Sequence, residues 1–434
     1  MQFIVLLLLL AGMASAQNQY YVATTGSDSS SGTSSTSPWR TIQHALDSFS
    51  LGLQGTVIHV AAGTYTELTN SCSTYSNVAE CIRIGRGGTS DSARLRLQCD
   101  AQWSVPSGSG CLIRQNSATY GFEVNGNYVD IAGFDFGNAP RAQAALVGAC
   151  NPANNGACPT ANGLHVLNNY FHDVGQTVDD GEGAGPGCPK QGMIEAQQHH
   201  GASVTGLQII GNRVSNYGNN ALKGSCAYSH GIYVNTSGAV VENNVVLDAT
   251  ANGIQWYSAP CNGVISNNVF VRSGYNGIIV AGGDLCGSGQ GKITIINNIL
   301  DNNGHSGLAL GTGSGAPCTA GSPILISNNV LFGNGTGQYS GTSSCANPVN
   351  TRTEAPTATF VSYAGNANDD YHLKAGSVAA QTGTTQCVAG GLSPCVPTMT
   401  LDSVLRPSPL SIGAFDVTTA VDLSPPTNLT ATVN

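Results

Sequence analysis

GLHVLNNYF, at Gly163–Phe171, is written five more times in this chain with small changes. It returns as GLQIIGNRV (Gly206–Val214), GAVVENNVV (Gly238–Val246), NGVISNNVF (Asn262–Phe270), KITIINNIL (Lys292–Leu300) and PILISNNVL (Pro323–Leu331). The second Asn of the phrase falls at 169, 212, 244, 268, 298 and 329, in steps of 43, 32, 24, 30 and 31 residues. Self-similarity at such a period means a repeat architecture, and β-branched residues at strand spacing make the repeats strands rather than helices. Three residues before that Asn stand Val166, Ile209, Val241, Ile265, Ile295 and Ile326. Two residues after it stand Phe171, Val214, Val246, Phe270, Leu300 and Leu331. Both columns are apolar in every copy, as expected if like side chains stack inside one continuous core.

A second phrase alternates with the first: HGASV at His200, HGIYV at His230, NGIQW at Asn252, NGIIV at Asn276 and SGLAL at Ser306. Each coil therefore holds at least two short strands on different faces, and neighbouring coils pair edge to edge roughly 4.8 Å apart. Unequal steps are loops of different size on a fixed frame. The Asn column fits a bend, where Asn tolerates left-handed backbone, and its side chains can bond to one another along the axis.

Other segments carry a family resemblance. The opening YYVATTGSDSSSGTSSTSPWRTIQHALDSF (Tyr20–Phe49) and the strand-like GTVIHVAAGTYTE (Gly55–Glu67) resemble the start of right-handed parallel β-helix proteins of the pectate-lyase-like superfamily. DYHLKAGSVAAQTGT (Asp370–Thr384) and LRPSPLSIGAFD (Leu405–Asp416) resemble their closing segment. The resemblance implies an all-β fold: a single-stranded right-handed parallel β-helix solenoid with a short N-terminal capping helix and disulfide-stapled loops. Ile42, Ala45, Leu46 and Phe49 give that helix its apolar face. The superfamily includes lyases, hydrolases, epimerases and non-enzymatic surface proteins, so the resemblance bears on fold more than on activity.

Residues 1–16 read as a secretory signal, with an apolar run at Ile4–Leu10 and a small-residue cleavage site at Ala14-Ser15-Ala16. Residues 17–420 are expected to form the solenoid. Residues 421–434 read as a linker or unstructured tail resembling the start of a fibronectin type III module. A secreted monomer without a membrane span is expected, extracellular or periplasmic. The formal charge of −9, with Lys and Arg numbering 15 together, argues against a nucleic-acid partner and makes a strongly anionic polymer less comfortable. Fourteen cysteines in an exported chain imply disulfides. Spacing suggests Cys72–Cys81, Cys99–Cys111, Cys150–Cys158 and Cys387–Cys395 as loop staples. Cys261–Cys286 follows from their equivalent distances after Gly253 and Gly277, and Cys188–Cys226 and Cys318–Cys345 complete the set.

Charged and imidazole groups are scarce, so their concentration between His172 and Tyr233 is informative. Aligning the second phrase makes His200, His230, Asn252, Asn276 and Ser306 one column, and Ser203, Tyr233, Gln255, Ile279 and Ala309 another. His200 and His230 would then be neighbours one coil apart, with Tyr233, Asn252, Gln255 and Trp256 as sugar contacts on the same strip. The same pattern also suits an ordinary polar ladder at a turn. A β-eliminating lyase would use Lys223, His230 or His200 for acid–base work. Asp179, Asp180, Glu182 and Glu195 could hold Ca²⁺ through hard oxygen ligands. Asp179-Asp180 followed by His200-Gly201 is similar to part of a polygalacturonase pattern, but the N-T-D and R-I-K parts are missing. Glycosylation sequons occur at Asn235, Asn334 and Asn428. The sequence therefore points to a secreted protein that binds or processes extracellular polysaccharide, lyase- or hydrolase-like. A non-catalytic adhesive or structural scaffold is the alternative.

Overall fold

The first repeated phrase is two strands joined by a corner. In the computed structural model His165–Leu167 and Tyr170–Val174 lie on different sheets, and Asn168 and Asn169 make the bend between them. The structure describes residues 17–52, 54–67, 81–114, 120–142, 144–148, 161–178, 186–190, 192–197, 205–257, 260–282, 291–311, 323–341 and 346–417. The signal-like segment and the tail beyond 417 lie outside these residues.

Each coil contributes one strand to each of three parallel sheets. The first sheet has eleven strands, from Asn18–Val22 to Pro348–Val349. The third has nine, from Gly63–Tyr65 to Val330–Phe332, and the second nine, from Ile82–Ile84 to Gly337–Ser340. Both apolar columns read from the sequence are in register: Val166 pairs with Ile209, Val241 with Ile265, Ile295 with Ile326, and Phe171 with Val214. They face one interior, closed at the N-terminal end by the helix Ile42–Ser48. Ile42, Ala45, Leu46 and Phe49 of that segment are buried.

The corner explains the Asn pair. The residue ahead of the repeated Asn takes left-handed backbone, with φ of 50° at Asn168, 69° at Gly211, 56° at Asn243 and 55° at Asn267, which Asn and Gly accept at least cost. The following Asn turns inward and is fully buried in all six copies. Its Oδ1 accepts the backbone N–H of the equivalent Asn one coil earlier at 2.9–3.0 Å. Its Nδ2 donates to a carbonyl of the preceding coil at 2.8–3.0 Å. A buried amide satisfied in this way leaves none of its own polar groups stranded in the corner. The glycine of the second phrase has a steric cause: a Cβ on Gly253 would lie 2.7 Å from the carbonyl oxygen of Gly277 one coil on.

The last strand of the three parallel sheets is Pro348–Val349, with one further parallel bridge from Val330 to Arg352. Residues 356–417 turn back along the outside of the stack, beginning with an antiparallel pair, Phe360–Ser362 with Asp370–Leu373. Phe360, Tyr371, Leu373, Ile412 and Phe415 cover an apolar outer face of the third sheet made by Val245, Val269, Ile299 and Val330. The loop between Cys387 and Cys395 covers Val264 and Ile296 on the outer face of the first sheet. Cys99–Cys111, Cys188–Cys226 and Cys387–Cys395 form as expected. Cys81 and Cys261 are also disulfide-bonded, and the other half of each expected pair, Cys72 and Cys286, lies outside the described residues. So do Cys150–Cys158 and Cys318–Cys345. No helix among the described residues is long and apolar enough to cross a membrane.

Candidate functional site

The strip around His230 is assembled on the second sheet, with a different neighbour from the one the repeats suggested. His230 pairs with Gly192, and Tyr233 with Glu195. The strand before His230 is thus Gly192–Gln197, eight positions ahead of His200, with Ile194 and Ala196 buried in the core. His200 itself lies outside the described residues. Onward along the stack the expected column holds: Tyr233 pairs with Gln255, Gln255 with Ile279, and Ile279 with Ala309.

His230 is enclosed and stacks on Tyr233 with ring centroids 5.7 Å apart. Its Nδ1 accepts from Asn252 Nδ2 at 3.2 Å. Asn276 Nδ2 in turn donates to Asn252 Oδ1 at 3.0 Å, and Ser306 N–H donates to Asn276 Oδ1 at 3.1 Å. His230 therefore caps a polar ladder, and burial without a compensating anion pushes its pKa down to about 3. Trp256, an expected sugar contact, points inward instead. It is fully buried and its indole N–H donates to Thr236 O at 2.9 Å. Alternation along Ile254–Trp256 sends only Gln255 outward. Lys223 is held by Asp248, which Arg272 also grips at 2.8 Å. These form a corner network by the third sheet, and Lys223 makes no described bond to His230.

Glu195 faces out from the second sheet but is fully enclosed. One carboxyl oxygen accepts from Gly192 N–H at 3.2 Å and the other has no hydrogen-bond partner among the described residues. Burial pushes its pKa up to about 8. A carboxyl that is neutral near pH 7 differs from the charged oxygen ligand expected for Ca²⁺. Asp179, Asp180 and Glu182 lie outside the described residues. Among the described residues no group of three or more His, Cys, Asp or Glu is placed to hold a metal ion.

The open polar surface is elsewhere. On the outer face of the first sheet Tyr21 pairs with His59 and His59 with Gln98. They floor a cleft of about 430 Å³ that Arg96 and Trp103 also line. The Tyr21 and His59 rings stack 5.0 Å apart at 14°. His59 Nδ1 lies 2.8 Å from Asp100 and its Nε2 lies 2.6 Å from Gln19 Oε1. Trp103 comes from the loop closed by Cys99–Cys111. That loop reaches two coils along the stack, where the indole N–H donates to Asn168 O at 2.8 Å and the ring meets Tyr170 at 5.3 Å.

Trp103 also lines a second cleft, about 390 Å³, across the Asn168 corner. One wall is the outer face of the third sheet at Arg213, and the other is the returning segment at Tyr371, His372 and Phe415. His372 bonds Asp370 and, at 3.1 Å, Asp402. Against the cost of burial, these carboxylates raise the pKa of His372 to about 9. Behind this wall His172 Nε2 lies 2.9 Å from Asp135 and its Nδ1 2.7 Å from Asp173. The charged residues counted between 172 and 233 are thus spread over two sheets. Tyr21, His59 and Arg96 escaped the sequence reading because their strands precede the first clear repeat. His372 escaped because it belongs to no repeat.

A parallel three-sheet solenoid with an inward Asn ladder and a helical N-terminal cap is a pectate-lyase-like parallel β-helix. The solved structure of pectate lyase Pel9A superposes with a TM-score of 0.50 at 17% identity, over 92% of this chain and 96% of that one. An alginate lyase from Paenibacillus sp. str. FPU-7 gives a TM-score of 0.46 at 15% identity over 72% and 92% of the two chains. The GH136 lacto-N-biosidase from Eubacterium ramulus gives 0.46 at 11% over 77% and 68%. No protein-family model and no curated protein matches the chain.

Proposed function

We propose that this is a secreted polysaccharide-binding and polysaccharide-processing β-helix whose ligand lies in the cleft over Tyr21, His59 and Trp103. The observation that carries this reading is the cleft itself. It offers stacked aromatic faces and polar groups on a rigid sheet, beside a disulfide-closed loop that presents an indole, which suits the apolar face and hydroxyl rim of a sugar. His59 with Asp100 is the acid–base pair we assign to it, in place of Lys223 and His230. The disulfides support export.

The test is incubation of the mature chain with a panel of uronate-containing and neutral polysaccharides. Binding is read by affinity electrophoresis, lyase action by unsaturated products, and hydrolysis by new reducing ends. Trp103→Ala should abolish binding, and His59→Ala should abolish turnover while weakening binding less than Trp103→Ala does. Silence on every polysaccharide would return the protein to the second reading, a non-catalytic surface scaffold. One observation favours that reading: Lys223 and His230 are both engaged in internal bonds.

A further inference from the structure

The second cleft contains a buried guanidinium that makes no direct ion pair among the described residues, although Asp369 and Asp370 lie within electrostatic range. Arg213 is 6% exposed, and its Nε has no hydrogen-bond partner among the described residues. One Nη donates to Ala367 O, and the guanidinium lies 5.7 Å from the Tyr371 ring centroid. No ion pair to it occurs among the described residues. The carboxylates around it are committed elsewhere. Asp369 accepts three backbone N–H groups, from Ala364, Gly365 and Asn366, and lies 3.5 Å from Arg272. Asp370 and Asp402 are both bonded to His372. A buried guanidinium left unpaired costs stability unless something supplies the missing acceptors. The cleft that Arg213 lines is open enough to admit that partner, and Trp103, Tyr371 and Phe415 give it aromatic walls.

We propose that Arg213 forms a subsite for one oxyanion, a carboxylate or sulfate, carried on a sugar ring that rests against the aromatic walls. Planar N–H donors match either group. Trp103 lines both clefts, so a chain lying over Tyr21 and His59 could present such a substituent to Arg213 across the Asn168 corner. The sugar rests on the polysaccharide reading; the anion subsite does not. The ligand of such a subsite is acidic despite the net charge of −9.

The chain has three tryptophans, Trp39, Trp103 and Trp256, which allows a test that needs no polysaccharide. Indole N–H resonances of the full mature chain are followed during titration with inorganic sulfate, D-glucuronate and neutral D-glucose. Sulfate and glucuronate should shift the Trp103 resonance, glucose should not, and Trp39 and Trp256, which line neither cleft, should stay in place as reporters of intact fold. Arg213→Gln should weaken the anion response about tenfold or more, and Arg213→Lys less. No anion response, or an equal response in Arg213→Gln with Trp39 and Trp256 unmoved, overturns the inference. Anion binding at Arg213 with no polysaccharide bound anywhere would leave the subsite standing and remove the glycan reading instead.

Discussion

Along the outer face of the third sheet the chemistry changes at one coil. Asp135, Tyr170 and Arg213 are successive register partners, and the next four positions in the same column are Val245, Val269, Ile299 and Val330. The first three border a cleft and a buried ionic chain; the last four disappear under the returning segment. The first sheet makes the same division. Its early strands show Tyr21, His59 and Gln98 to an open cleft, while Val264 and Ile296 lie under the Cys387–Cys395 loop. One scaffold therefore serves two purposes. Its early coils present chemistry, and its late coils anchor a cover that forms one wall of the second cleft.

The division can be attacked where it is strongest. Phe360→Ala, in the cover, should cost about 3–5 kcal/mol by removing a fully buried aromatic ring from the apolar late face. The change should appear as a lower denaturation midpoint and increased dye binding to exposed apolar surface. Asn268→Ala tests what both regions share. It strands the Asn244 N–H and the Val241 carbonyl inside the corner, for about 2–4 kcal/mol in urea denaturation. If Asn268→Ala is harmless, the ladder is decoration and the coils are held by the apolar columns alone.

Protonation separates the regions more finely. The folded pKa of Glu195 is raised, so its contribution is most favourable below about 4.5 and is lost as pH rises toward about 8. Glu195→Gln should therefore raise the melting temperature at pH 8 and leave it nearly unchanged at pH 4. His372 in the cover is also raised, so its clamp is fully present below about 6.5 and is lost as pH climbs through about 9. Asp370 and Asp402 are lowered by the same contact, and their share is lost as pH falls below the usual carboxylate range. His372→Gln should flatten the alkaline limb of the stability curve. The smallest effect belongs to Lys223→Met, about 0–1 kcal/mol for a partly exposed pair, with polysaccharide binding unchanged. A large loss of binding in Lys223→Met would move the site back toward the second sheet.

The inner face was legible because its chemistry repeats: Val166 and Phe171 recur as apolar residues at fixed offsets from a buried Asn, and stacking requires that of every coil. The turn of the late outer face was also written in the phrase. After the Asn, RV at Arg213-Val214 becomes VV at Val245-Val246, VF at Val269-Phe270 and IL at Ile299-Leu300, so alternation gives way to apolar residues on both faces. That pattern announces a covered strand without saying what covers it, because Phe360 and Tyr371 lie in a segment without periodicity. The expected pairing of His200 with His230 failed for a related reason: HGASV echoes HGIYV in letters, but letters do not set register, and the strand paired with His230–Asn235 is Gly192–Gln197. Arg213 could not be recognised as unpaired from its position, since pairing depends on a segment more than 150 residues away that brings Ala367 to it.

Coils of a solenoid can fold in the order they are made, each one templating the next. Here the valines and isoleucines at 245, 269, 299 and 330 remain wet until Phe360, Tyr371 and Ile412 have been synthesised and have travelled back along the stack. Until residues 356–417 dock, that flank stays exposed, so completion of the fold waits on this returning segment rather than on the growth of the coil stack.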